Sequence, residues 1–543
     1  MPNVREVLFD LMRELEMTTI FGNIGSTEEP MLKDFPGDFK YVLSLHEAVS
    51  VALADAYAQS SGRVVHVNLH TAAGSGNAMG AIETAWYNRT PMIITAGQQT
   101  RQMLLLEPLL TNKNPLVQAA PWVKWSYEPA LPDDVPAAFM RAYATAIQAP
   151  AGPVYLSLPM DDMDKECEKI PAKRTVEASL SAGEDLFKKV ADEIAKAKSP
   201  LLVFGGAIDQ CHGWDAAIAL AEKLRCEVWA APFEGRPGFP ENHAQYRGVL
   251  LPAIEPLGKQ FEGHDLVLVI GAPVFRYYPY AKGDFLPKGT RLIHITDSAE
   301  ESARAPVGDS YMADPGLACL TLSRLIPQCD RTAPVPKTPP EVPASTERIT
   351  PDFLFYTISK LRPDDSILTH ESLSNAASLK KYLPTKNPRS FFAFFSGVLG
   401  YGLPAAVGVA LAEKEAGSKK KVIALQGDGA TQYAIQAFWN AAKERSNILF
   451  VVLRNKEYNI LKSYGTYLDA KGVPALDITG IDTVMLAKGY GCDGKTVSNP
   501  HDLEDAIKEG LAYDGPFVLQ VEVDPATPPL LGKDGPKRQG EDS

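Results

Sequence analysis

The segment Ala424–Asn455 reads ALQGDGATQYAIQAFWNAAKERSNILFVVLRN. Its opening completes an apolar run, Val422–Leu425, of the length and composition of a strand buried on both faces. Gly427-Asp428-Gly429 ends that run. An apolar helical pattern follows, then a second buried strand, Ile448–Leu453, which ends at Asn455. Both polar residues thus fall at carboxyl ends of strands, where open α/β sheets place ligands. Asp428 offers an anionic oxygen and Asn455 a neutral one, a donor pair suited to Mg²⁺ shared with diphosphate oxygens. Gly427 and Gly429 permit close backbone approach, and the next helix turns its first N–H groups toward an anion. A bare Gly-Asp-Gly is usually a simple turn. The strand–GDG–helix–strand–Asn order, kept over the 28 residues from Asp428 to Asn455, is what makes it a site.

Working outward, the same alternation recurs three times in the 543 residues. From about residue 1 to 165 come TTIFGNIGS, VVHVNLH, PMIITAG and GPVYLSLP; from 182 to 326, PLLVFGGAI, CEVWAAPF, DLVLVIGAPV and TRLIHITDS. From 349 to 524 come SILTHES, KVIALQGDGA, NILFVVLRN and PFVLQVEV. Such alternation implies an α/β protein of three doubly wound domains with mostly parallel central sheets. Six prolines between Pro327 and Pro343 mark 327–348 as a stiff, extended linker. The Pro/Gly-rich, charged stretch 525–543 is expected to be a mobile tail. The glycines of AAGSGNAMG, spaced GxGxxxG, read as a tight turn with close packing and do not form a dinucleotide fingerprint.

Composition excludes several classes. The net charge of −12 argues against a nucleic-acid partner. No apolar run reaches the 18 or more residues of a membrane span, and the N-terminus lacks a signal-peptide core. Six scattered cysteines without CxxC spacing suggest reduced thiols, no structural zinc and a cytoplasmic setting.

One helix poses a problem. SLHEAVSVALADAYAQSSGR, Ser44–Arg63, is apolar or small on nearly every side after Glu47. That pattern describes a buried helix, yet it begins with His46-Glu47. A carboxylate in a first turn gains from the helix dipole, but a desolvated one also suits proton transfer.

Gly-Asp-Gly followed by Asn455 resembles the cofactor motif of the thiamine diphosphate-dependent 2-keto acid decarboxylases and carboligases. FGNIGSTEEPMLKDFPGDFKYVLSLHEAVSVALADAYAQ, VNLHTAAGSGNAMGAIETAW, TAGQQTRQM, LLTN, VKWSYEPA, GHDLVLVIGAPVFRY and LAKGYG extend the likeness from Phe21 to Gly491. Within the family the sequence is similar to the benzoylformate decarboxylases. The resemblance implies a pyrimidine-binding first domain, a middle domain and a diphosphate- and Mg²⁺-binding third domain. It places Glu47 against N1′ of the cofactor's aminopyrimidine, where its proton favours the imino tautomer that activates C2. It makes His70 a proton donor or acceptor to the bound intermediate and Ser26 the partner of the substrate carboxylate.

Ser374, Gly397, Leu399, Gly427, Asp428, Gly429, Ala430, Asn455 and Tyr458 would hold the cofactor, with Leu399 supporting its bent shape. Asp428, Asn455 and the Glu457 carbonyl would hold Mg²⁺, for which Ca²⁺ can substitute. Leu109, Leu110, Leu461 and Tyr464, with Ser26, would line an aryl-sized pocket. Neither FAD nor NAD is indicated. Three departures stand out: Ile24 where proline is expected, NKEYN at the metal loop, and Tyr278 in VFRYYPY where the family carries a second catalytic histidine. A phenol titrating near 10 shuttles protons poorly at neutral pH but still donates a hydrogen bond. It implies slower protonation favouring carboligation, or a different 2-keto acid.

The expected activity is decarboxylation of an aryl 2-keto acid to the aldehyde and CO₂, with carboligation of aldehydes beside it. A benzaldehyde lyase-like or acetolactate synthase-like enzyme is the alternative, and a cofactor-binding protein without turnover is another. The family builds each site from two subunits, so at least a homodimer, and a tetramer by the family's habit, is implied.

Overall fold

The computed structural model describes residues 1–531 except 169, 170, 175, 177, 178 and 346. Three parallel six-stranded sheets follow one another along the chain. The first holds β1 (Thr19–Gly22), β2 (Lys40–Leu43), β3 (Val65–Leu69), β4 (Met92–Gln98), β5 (Ser126–Tyr127) and β6 (Pro153–Pro159), in the order β2-β1-β3-β4-β6-β5. The second holds β7 (Pro200–Phe204), β8 (Glu227–Ala230), β9 (Tyr246–Val249), β10 (Leu266–Ile270), β11 (Arg291–Thr296) and β12 (Asp309–Met312), in the order β12-β11-β10-β7-β8-β9. The third holds β13 (Ile367–Glu371), β14 (Phe391–Ala393), β15 (Val422–Gly427), β16 (Ile448–Arg454), β17 (Asp493–Val497) and β18 (Phe517–Glu522), in the order β14-β13-β15-β16-β18-β17. Helices on both faces cover each sheet, which is why the central strands are buried throughout and mostly apolar.

The first and third sheets meet through two helices buried all round, Glu47–Ser61 and Gly402–Glu415. Their backbones touch. A Cβ added at Gly408 would stand 2.1 Å from the Leu53 carbonyl oxygen. One apolar core runs from Val49 and Leu53 through Val407 and Leu411 into β15 and β16. At the junction with the middle domain lies a buried polar knot. Asp55 accepts from Gln59 and Asn88, Gln59 also reaches the Tyr401 hydroxyl, and Arg236 pairs with Asp209.

The described residues of the proline-rich stretch form no helix or strand, and Arg331 ties it to the middle domain by donating to the carbonyls of Leu224 and Ala197. Two local expectations are corrected. Ala72–Gly80 is not a tight turn: it forms the helices Thr71–Asn77 and Met79–Tyr87. The tail is not free from Pro525. Asn459 donates to the carbonyls of Pro525 and Ala526, Ser463 donates to that of Pro528, and Leu531 is buried beside Ala253 and Ala281. Residues 532–543 lie outside the described residues. Among the described residues no helix is long and apolar enough to cross a membrane.

Candidate active site

Two groups of polar residues stand at the carboxyl ends of the first and third sheets. In the first, Glu47 opens its helix as a buried residue, and His46 caps it by accepting the Ala48 N–H at 3.2 Å. Two amides hold the carboxylate: Asn77 Nδ2 donates to Oε2 at 3.0 Å and Asn23 Nδ2 to Oε1 at 3.4 Å. Gly74 lies between Glu47 and His70, its missing Cβ 3.2 Å from the Glu47 Cγ and 3.5 Å from the His70 Cβ. The absence of a side chain there lets the two acid–base groups flank one backbone position.

His70 follows β3 directly and stands at the N-cap position of the Thr71–Asn77 helix without a capping bond from its side chain. Its Nδ1 lies 2.8 Å from Oε2 of Glu28, a residue the sequence reading passed over. Glu28 is only 1% exposed and also accepts from the N–H groups of Gly25 and Gly97 and from the Thr27 hydroxyl. A carboxylate so fixed imposes the tautomer with the proton on Nδ1, which leaves His70 Nε2 for chemistry. Gly25 closes over the imidazole, and a Cβ there would be 2.1 Å from Nδ1. Ser26, between Gly25 and Thr27, is exposed at the mouth of this group.

The second group is the one encoded by Ala424–Asn455. Parallel pairing sets Gly427 beside Leu453, so Asp428 and Asn455 leave adjacent strands at one end of the sheet. The helix after Asp428 is a single turn, Asp428–Thr431, and the rest of the connection is the separate helix Ala437–Glu444. Asp428 accepts the Lys456 N–H at 2.7 Å and its neighbour Gly429 N–H at 2.9 Å. Burial pushes its carboxyl up to about 6, the response of a carboxylate suited to a cation. Asn455 Oδ1 accepts the Glu457 N–H at 3.0 Å.

A short bridge to 476–478 holds this loop. Tyr458 N donates to Leu476 O and Ile478 N to Lys456 O, and neither bond uses the Glu457 carbonyl. One buried carboxylate, one amide oxygen and one backbone carbonyl form a hard oxygen set of the kind that binds Mg²⁺ together with phosphate oxygens. Gly429 is the cradle, since a Cβ there would meet the Tyr458 ring at 2.6 Å. The residues present fit a metal–diphosphate group.

Ser374 and Ala430 lie half-buried near this end. Gly397 and Leu399 belong to a loop clamped by Glu371, which accepts from Gly400 N at 2.6 Å and Gly402 N at 2.7 Å. Gly397 takes a φ of 79° and Gly400 one of 105°, conformations that favour glycine. Glu371 was also missed in the sequence; it is buried, and burial pushes it up to about 7.

Tyr278 and Tyr464 are brought together, ring centroids 5.1 Å apart, where a middle-domain loop lies on the helix Asn459–Leu468. Leu461, on that helix, is exposed, as are Leu109 and Leu110 on the first domain. Among the described residues no hydrogen bond joins the Glu47 group to the Asp428 group.

Both groups and all three sheets fall within one class. The chain matches the thiamine pyrophosphate enzyme models for the N-terminal TPP binding domain over residues 2–115, the central domain over 187–324 and the C-terminal TPP binding domain over 374–521. It belongs to the thiamine pyrophosphate enzymes. Within them it is 41% identical to a benzoylformate decarboxylase of Pseudomonas aeruginosa, covering 96% of this chain and 99% of that one. The structure is similar to that of benzoylformate decarboxylase from Polynucleobacter necessarius, with a TM-score of 0.96, 44% identity, and 98% and 100% of the two chains covered. It is also similar to a thiamine diphosphate-dependent 4-hydroxybenzoylformate decarboxylase of Rhodococcus jostii RHA1, with a TM-score of 0.93, 39% identity, and 97% and 100% covered.

Proposed function

We propose that this thiamine diphosphate enzyme is a carboxy-lyase that converts an aryl 2-keto acid of the benzoylformate type to its aldehyde and CO₂, with carboligation of aldehydes as a side reaction. The observation that carries the reading is the buried Glu47 beside a His70 oriented by Glu28, in a chain 41% identical over nearly its full length to a benzoylformate decarboxylase. Thiamine diphosphate supplies a carbon nucleophile for the keto carbonyl and a cationic ring that accepts the electron pair as CO₂ departs.

The chain's own residues do the rest. Glu47 exchanges a proton with the cofactor's pyrimidine from a site whose amides hold both carboxylate oxygens. His70 gives and takes a proton at Nε2, because Nδ1 is committed to Glu28. Ser26 binds the substrate carboxylate by its hydroxyl. Leu109, Leu110, Leu461 and Tyr464 exclude water from the aryl group. Tyr278 donates a hydrogen bond from its phenol. Asp428, Asn455 and the Glu457 carbonyl hold Mg²⁺ and with it the diphosphate, next to Ser374, Gly427, Gly429, Ala430 and Tyr458. Gly397 and Leu399 would lie against the cofactor's pyrimidine side.

We further infer a homo-oligomer, at least a dimer, in which two chains complete each site. Leu105 and Leu109 are 93% and 89% exposed, and an apolar stretch so bare fits a face covered by a second copy. A cytoplasmic setting goes with six free cysteines. The test is a panel of 2-keto acids with purified protein, with and without thiamine diphosphate and Mg²⁺. Cofactor-dependent release of CO₂ and aldehyde from benzoylformate is expected. Turnover of pyruvate alone, or none at all, would refute the assignment.

A further inference from the structure

Behind the Glu28–His70 pair lies a small cavity of about 10 Å³, walled by Met31, Leu158 and Met163 and carrying four polar residues, Thr27, Glu28, Asn68 and Thr95. That is the room one water needs. Asn68 is 1% exposed and its Oδ1 has no hydrogen-bond partner. Such an acceptor costs free energy unless a donor reaches it.

The donors around it can be assigned. Thr95 Oγ1 accepts from Asn68 Nδ2 at 3.1 Å and lies 2.8 Å from His66 Nε2. His66 is wholly buried, and burial pushes its imidazole down to about 3, so the ring is neutral and carries one proton. Its Nδ1 has no partner. A bare buried lone pair costs less than an orphaned N–H, so the proton sits on Nε2 and is given to Thr95. Thr95 therefore accepts twice and keeps its own O–H to donate. Thr27 Oγ1 gives its proton to Glu28 at 2.7 Å and has a lone pair left. One free O–H and two open acceptors, placed around a water-sized space, are the complement of a single water.

We propose that this cavity holds one ordered water that accepts from Thr95 Oγ1 and donates to Asn68 Oδ1 and Thr27 Oγ1, which makes Asn68 and Thr95 positioning residues for His70. The inference rests on the reading of His70 as the acid–base group. Thr27 Oγ1 lies 3.3 Å from His70 Nδ1 as well as beside Glu28. Were its proton turned to Nδ1, His70 would hold the opposite tautomer and Nε2 would be blocked. A water donating to Thr27 completes an unbroken chain, His66 to Thr95 to water to Thr27 to Glu28, in which each link polarises the next. The chain keeps the Thr27 proton on Glu28 and so keeps the His70 proton on Nδ1.

The test uses the full-length, cofactor-loaded enzyme. A high-resolution crystal structure should show one water with these three partners, and an empty cavity overturns the proposal. In Asn68→Leu the water should be lost. The ¹⁵N shifts of labelled histidine should then show His70 moving toward the Nε2–H tautomer. In parallel kcat should fall about tenfold, part of what a general acid–base group contributes, with KM nearly unchanged. Thr95→Val, of the same shape, provides the second variant and should behave alike. Wild-type tautomer in both variants overturns the role of the water even if density is present. The His70 reading fails separately: His70→Ala with full turnover would remove it, while the crystallographic water stands or falls on its own density.

Discussion

Replacing Gly25 by alanine isolates the placement of His70. Gly25 has no positive φ, so alanine suits its backbone, and the strain of the change falls on the side chain it meets. The added methyl would start 2.1 Å from His70 Nδ1, and ordinary contact begins at 3.4 Å. The ring must therefore retreat by 3.4 − 2.1, or 1.3 Å, which disturbs its 2.8 Å bond to Glu28. A misplacement of about 1 Å costs about 100-fold in rate, or about 2.7 kcal/mol at about 1.36 kcal/mol per tenfold. Aldehyde formation from benzoylformate at saturating cofactor, with a thermal melt beside it, measures both effects. A cooperative melt, lowered only modestly, with kcat/KM down about 100-fold is the expected result. Full activity would refute the view that Gly25 seats the imidazole.

The remaining predictions concern three carboxylates. Glu47→Gln should keep its contacts to Asn23 or Asn77 and fold normally, yet lose about 100-fold or more in kcat because the amide cannot exchange the proton. Asp428→Asn should weaken Mg²⁺-dependent retention of thiamine diphosphate by at least about tenfold, measured by titration calorimetry, with the melt of the cofactor-free protein nearly unchanged. Burial lifts Glu371 from 4.5 to about 7. The folded chain then keeps a proton there that the unfolded chain has released, so its contribution to stability falls as pH rises from 4.5 to about 7. Tm of Glu371→Gln should accordingly decline less across that window, and an identical pH slope would count against the burial argument.

The Asp428–Asn455 pairing was legible because two apolar runs flank it closely in sequence and parallel pairing leaves one arrangement of their ends. The buried helix behind Glu47 was legible for a similar reason, its apolar residues covering every side. Glu28 was not. In STEEP it stands next to Glu29, and two acids there look like an ordinary helix start. What separates them is contact with His70, 42 residues on, and with the Gly97 N–H, 69 residues on. Glu371 was hidden likewise, since its partners Gly400 and Gly402 lie about thirty residues away on a loop without periodicity. The run Ala72–Gly80 misled through propensity. Glycine lowers helix stability by about 1 kcal/mol relative to alanine, but a side chain at Gly74 would crowd Glu47. The tail misled by composition, which does not register the Asn459 and Ser463 side chains that bind its backbone.

That docked segment bears on selectivity. Asn459, Ser463 and Tyr467 follow one another at four-residue spacing along one side of the helix that carries Leu461 and Tyr464; the first two bind residues 525–528, and the Tyr467 hydroxyl donates to the Tyr280 carbonyl. One face of this helix is thus tied both to the tail and to a middle-domain loop. If the proposed wall is held by these ties, truncation before Pro525 should broaden the range of acyl groups accepted while sparing the chemistry, and an unchanged substrate range would refute that role.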